Sequence, residues 1–124
     1  MATAQHQSQQ ICLSKDLKEG GLGVSFKVKC GNLLYPAFVV RYQQQVYSYL
    51  NSCAHLNLEM DWIAGRFFEQ SGRYLICATH GALFEPQSGL CVAGHCFGRS
   101  LTPIGVQEID NVVFLTSVER PAIK

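Results

Sequence analysis

"GVSFKVKC" (residues 23–30) sets Val24, Phe26, Val28 and Cys30 against Ser25, Lys27 and Lys29. That two-residue alternation puts apolar side chains on one face and polar ones on the other, the pattern of a half-buried strand. The same pattern recurs on either side. "AFVVRY" (37–42) and "VYSYL" (46–50) flank "QQQ" and read as a hairpin. "IGVQEI" (104–109) and "VVFLT" (112–116) form a second, with Asp110-Asn111 at its turn. "RYLICA" (73–78) and "ALF" (82–84) are two shorter candidates. No segment sustains a helical period for three turns, although "NLEMDWIAGRFFEQ" (57–70) suits either one short helix or a loop. Short strands separated by regular turn signals predict an all-β fold, a sandwich or small barrel with few or no helices.

The chain has 124 residues, of which 48% are apolar and 15% charged, enough for one folded core. Residues 1–10 read as a flexible lead-in and 11–124 as a single domain. A net charge of +1 without a run of lysines or arginines gives no reason to expect nucleic acid or an anionic membrane as partner. No apolar run approaches the length of a membrane span. "MATAQHQSQQ" (1–10) has neither the basic start nor the apolar core of a secretory signal, so a cytoplasmic location is expected. In that reducing setting six cysteines call for an explanation other than a disulfide framework.

Four residues supply one. "NSCAH" (51–55) contains Cys53-x-His55, and "LICATHGALFEP" (75–86) contains Cys77-x-x-His80. Both pairs fall in predicted loops beside strands, where functional groups are displayed. Thiolates and imidazoles together suit zinc, iron and iron–sulfur centres rather than calcium or magnesium. Structural zinc and four unrelated residues are the competing readings. A zinc finger, however, takes two cysteines from one short motif and two histidines from another, whereas each loop here contributes one of each.

With that alternation the sequence resembles the Rieske family, in which two thiolates and two imidazoles hold a two-iron, two-sulfide cluster. Cys53-x-His55 and Cys77-x-x-His80-Gly81 match its two cluster-binding loops, around residues 53–60 and 77–86. "FEPQSG" (84–89) resembles the turn that precedes its covering loop, here residues 89–101. The resemblance runs from about residue 22 to 116. It implies a β-sandwich base with a small cluster-binding lobe and one [2Fe-2S] cluster. Cys53 and Cys77 are then expected on the inner iron, and His55 and His80 on the outer one. With all four ligands supplied by protein, the resemblance implies one-electron transfer and no catalysis by the chain alone. The expected role is a ferredoxin between a reductase and a terminal enzyme such as an oxygenase. A small subunit of a larger reductase and a redox-sensing module are the alternative roles.

The departures are also informative. The segment between the motifs, Leu56 to Ile76, is 21 residues and longer than usual for the family. Leu58 and Thr79 stand where respiratory-chain members carry a disulfide, and Ala82 and Phe84 where they carry a serine and a tyrosine that donate hydrogen bonds to sulfur. His95 and Cys96 replace the expected Pro-Ala of the covering loop. Cys91 and Cys96 are compatible with a disulfide, a redox-sensitive pair or two filler thiols. Cys12 and Cys30 read as structural thiols and His6 as solvent-exposed. Gly81, Gly89 and Gly94 read as backbone-geometry residues. Trp62 and Phe67-Phe68 suit either a cap on the lobe or ordinary aromatic packing.

Overall fold

The computed structural model describes residues 9–30, 32–51, 60–61, 65–77, 81–94 and 98–118. Among them are nine strands and a single 3-10 turn, Ser14–Asp16, with no α-helix. The strands are β1 (Gln9–Leu13), β2 (Val24–Cys30), β3 (Leu33–Tyr42), β4 (Gln45–Leu50), β5 (Leu75–Ile76), β6 (Leu83–Phe84), β7 (Cys91–Ala93), β8 (Ile104–Ile109) and β9 (Val112–Val118). They form three antiparallel sheets, β1-β9-β8, β2-β3-β4 and β5-β6-β7. The all-β expectation is met.

The strand β3 explains the architecture. Ala37, Phe38, Val39 and Val40 are consecutive and all fully buried. A strand turns successive side chains to opposite faces, so four buried residues in a row require cover on both. Ala37 packs with Val28, Leu50, Ile104 and Leu115, and Val39 with Cys12, Leu17 and Val113, against the β1-β9-β8 sheet. Phe38 and Val40 point the other way, into a cluster with Phe67, Cys77 and, from the small third sheet, Leu75 and Phe84. The middle sheet is thus packed between a base and a lobe. Neighbouring β2, by contrast, keeps the predicted alternation, with Ser25, Lys27 and Lys29 exposed and Val28 buried.

Two of the boundaries that differ from the sequence reading have a clear physical cause. β1 takes in Gln9 and Gln10, assigned above to the lead-in, because their backbones pair with Leu115 and Phe114 of β9. β3 begins at Leu33, ahead of Pro36, although a proline weakens any strand with neighbours on both sides. It is tolerated because β4 pairs with β3 only from Ala37 onward. Beyond that rung the Asn51 N–H donates to the Pro36 carbonyl at 2.8 Å.

Both predicted hairpins form. Their two-residue turns, Gln43-Gln44 and Asp110-Asn111, place all four residues at positive φ, between 50° and 69°. That is the twist-compatible turn which joins antiparallel strands directly. Of the ambiguous stretch 57–70, the described residues contain no helix, and Phe68 makes an isolated antiparallel bridge to Leu75. Phe67 is a core residue, stacked on Phe38 with ring centroids 4.0 Å apart and an interplanar angle of 12°. Aromatic packing accounts for it; Trp62 lies outside the described residues.

Candidate metal centre

Cys77 follows directly on β5 and is completely buried. Its backbone N–H donates to the Ala82 carbonyl at 3.0 Å, and its own carbonyl accepts the Gly81 N–H at 2.7 Å. These two bonds tie the end of β5 to the start of β6. Glu69 fixes the approach to β5: its carboxylate accepts the N–H groups of Ser71, Arg73 and Tyr74 and the Ser71 hydroxyl. The hydrogen bonds from Ser71 hold that carboxyl down at a pKa of about 2.

The first motif leaves from the end of β4. Leu50 N–H donates to Thr102 C=O at 2.9 Å, and Asn51 N–H to Pro36 C=O, so the last rung is held from two sides. The Asn51 side chain is buried, accepts the Met60 N–H at 2.7 Å and donates to Asp61 Oδ1 at 2.8 Å. Residues 52–59, with Cys53 and His55, lie between these bonded ends and outside the described residues, as do His80, His95 and Cys96. Of the four predicted ligands, the structure therefore describes Cys77.

The third segment starts from β7. Cys91 N–H donates to Arg99 C=O at 2.7 Å, and Cys91 C=O accepts the Gly98 N–H at 3.2 Å, closing the chain across 95–97. The Cys91 thiol is buried and donates to the Ala93 carbonyl at 3.3 Å. Gly94 has φ +106°, and a Cβ there would lie 2.8 Å from Ala82 Cα. Only glycine lets this segment approach the second motif so closely. Gly81 and Gly89 also have positive φ, 73° and 76°, in line with their reading as geometry residues.

Met60, Cys77, Ala82 and Cys91 belong to one buried cluster. The roots of all three segments thus meet in one place, although they come from distant parts of the chain. Tyr49 of β4 adds a strut: its buried hydroxyl donates to the Pro86 carbonyl at 2.7 Å, which joins the middle sheet to the "FEPQSG" turn. Cys12 lies elsewhere, packed with Leu17, Val39 and Val113 in the base, where burial pushes its thiol up to about 11. It is a structural thiol, as expected. The side chain of Cys30 lies outside the described set.

Asn51, Asp61 and Tyr49 were not singled out from the sequence. Asn51-Ser52 reads as strand punctuation and Tyr49 as one more strand aromatic. The available signal was a polar residue directly after the predicted strand 46–50, two positions ahead of Cys53.

The sequence profile of the Rieske [2Fe-2S] domain family matches residues 7–110. The chain belongs to that family, and its cofactor is the [2Fe-2S] cluster. The described part of the site fits such a group. The buried Cys77 thiol lies in one cluster with Met60 and Ala82, which flank the two predicted ligand segments.

Solved structures share the fold. The ferredoxin of carbazole 1,9a-dioxygenase from Nocardioides aromaticivorans IC177 superposes with a TM-score of 0.66 at 18% identity, over 89% of this chain and 97% of that one. The ferredoxin of Sphingomonas yanoikuyae B1 gives 0.68 at 20% identity, over 90% and 99%. A chain in a complex of reduced oxygenase and oxidized ferredoxin in carbazole 1,9a-dioxygenase gives 0.69 at 18%, over 92% and 97%. At such identities the likeness is one of fold. No curated protein matches the chain significantly.

Proposed function

We propose that the chain is a one-electron carrier, a Rieske-type ferredoxin that takes an electron from a reductase and passes it to a terminal enzyme such as an oxygenase. The observation that carries this reading is coverage: the fold matches two ferredoxins over 97% and 99% of their own length. In this reading Cys53, His55, Cys77 and His80 hold the cluster, the two thiolates on the inner iron and the two imidazoles on the outer one. Cys77 is fully buried in one cluster with Phe38 and Val40 of β3, which supports its place on the inner iron. No helix among the described residues is long and apolar enough to cross a membrane, and we place the carrier in the cytoplasm. The cluster, when bound, supplies a site that changes by one electron without an open position for substrate.

The purified protein should contain two irons and two labile sulfides per chain. Its dithionite-reduced form should give the low-average-g EPR signal of mixed His/Cys ligation. With a suitable reductase it should cycle repeatedly and deliver electrons to an acceptor. A colourless protein with a single zinc would refute the cluster ligation. Sustained oxidation of an organic substrate by the isolated chain, with only a chemical donor and oxygen, would refute the carrier role.

A further inference from the structure

Asn51 spends its whole side chain on closing a gap. An amide offers one acceptor oxygen and one donor group. Here the oxygen takes the Met60 N–H and the nitrogen reaches Asp61 Oδ1, both across the segment 52–59. Asp61 extends the chain of bonds, since its Oδ2 accepts the Gly65 N–H at 3.1 Å. Gly65 C=O in turn accepts the Gly23 N–H at 2.7 Å, beside β2. The chain therefore leaves β4 at residue 51 and returns to the same point at residues 60 and 61.

We propose that Asn51 and Asp61 are positioning residues for the cluster: their hydrogen bond is a clasp that holds the Cys53-x-His55 ligand pair in register with Cys77. The proposal rests on Cys53 and His55 being ligands, as read above. Two observations connect the clasp to the metal site rather than to stability alone. First, only Ser52 separates Asn51 from Cys53, so their Cα atoms are at most about 7 Å apart, and a shift of Asn51 moves the thiolate with it. Second, Met60, whose N–H the clasp holds, is fully buried in the same cluster as Cys77. The clasp thus fixes one ligand segment against the wall that carries the other. A first shell held this way depends on the hydrogen bonds behind it.

The pair permits an exchange test, because amide and carboxylate can trade places and keep all three hydrogen bonds. Asn51→Asp, Asp61→Asn and the double variant would be purified as holoproteins. Iron and sulfide content, the rate of iron loss to a chelator, the EPR spectrum and the midpoint potential would be compared with wild type. Asn51→Asp sets two carboxylates against each other at the 2.8 Å contact. It should release iron on the order of tenfold faster and shift both potential and EPR signal, the effect of one lost charge-assisted hydrogen bond. Asp61→Asn keeps the clasp but strands the Gly65 N–H and should show a smaller change. The double variant restores every donor and acceptor, and should return release rate, potential and spectrum most of the way to wild type.

Wild-type behaviour in both single variants overturns the clasp, and so does a double variant no better than Asn51→Asp. Should Asn51→Asp fail to accumulate, slower iron release from the double variant than from Asp61→Asn supports the proposal, and equal or faster release overturns it. A wild-type protein without iron and sulfide overturns the cluster ligands and the clasp together. A wild-type cluster with indifferent variants overturns the clasp alone.

Discussion

Ala82 and Phe84 are fully buried beside Cys77 in the lobe cluster and carry no hydroxyl. Hydrogen bonds to cluster sulfur favour the more negative, reduced state and raise the potential. The midpoint should therefore lie toward the low end of the range for His/Cys-ligated clusters, roughly −150 mV. Phe84→Tyr should raise it; protein-film voltammetry reads both values, and a wild-type midpoint near the upper limit of about +300 mV would contradict the argument. Tyr49 presents the opposite case, a hydroxyl that is present and used. Tyr49→Phe leaves the Pro86 carbonyl without its buried donor and should lower stability by about 1–2 kcal/mol, measured by urea unfolding of the holoprotein. Burial also pushes the tyrosine hydroxyl's pKa above its ordinary value.

At the scale of elements, the β3–β4 hairpin turns on Gln43-Gln44, both at positive φ, where asparagine or glycine would be less strained. The turn is held from outside: the Glu19 carboxylate accepts the N–H groups of Gln43 and Gln44. Glu19 itself lies in an isolated parallel bridge with Arg41. Glu19→Ala should therefore destabilise the protein by about 1 kcal/mol, and Gln44→Gly should recover part of the loss by relieving the left-handed residue. Thermal melts of the two single variants and the double variant decide it; additive, unrelated effects would show that the carboxylate does not support the turn. The second hairpin has Asp110-Asn111 at the same positions, residue types that adopt positive φ more readily. That difference in chemistry made the Asp110-Asn111 hairpin the easier one to read from sequence.

Across the whole molecule, Arg41 binds three elements together. Its guanidinium donates to Ser14 C=O and Leu17 C=O, and its two terminal nitrogens reach both carboxylate oxygens of Glu108. The closest contact, 2.6 Å, joins β3 of the middle sheet to β8 of the base. The Arg41 hydrogen bond holds the Glu108 carboxyl below its ordinary value of 4.5. A carboxyl depressed in the folded state stabilises fully above its unfolded pKa and loses that contribution as pH falls through the folded one. Melting temperature should thus fall below about pH 4.5, and Glu108→Gln should flatten this acid limb while lowering stability near neutrality by about 1 kcal/mol. An unchanged acid limb in Glu108→Gln would assign the effect to other carboxylates.

The amino-acid sequence by itself determined the all-β class, both hairpins and the paired Cys/His motifs, because strand alternation, turn chemistry and ligand spacing are written within a few residues of one another. Val24 to Cys30 and Asp110-Asn111 could be read in isolation for that reason. What only the tertiary structure decided lies between distant residues. Tyr49 meets Pro86 across 37 positions and Arg41 meets Glu108 across 67. The continuous burial of Ala37 to Val40 depends on a lobe and a base that arrive from other parts of the chain. Asn51 looked like loop punctuation until Met60 and Asp61 came back to meet it. A side chain's local sequence records its own hydrogen-bonding capacity; only folding supplies the partner.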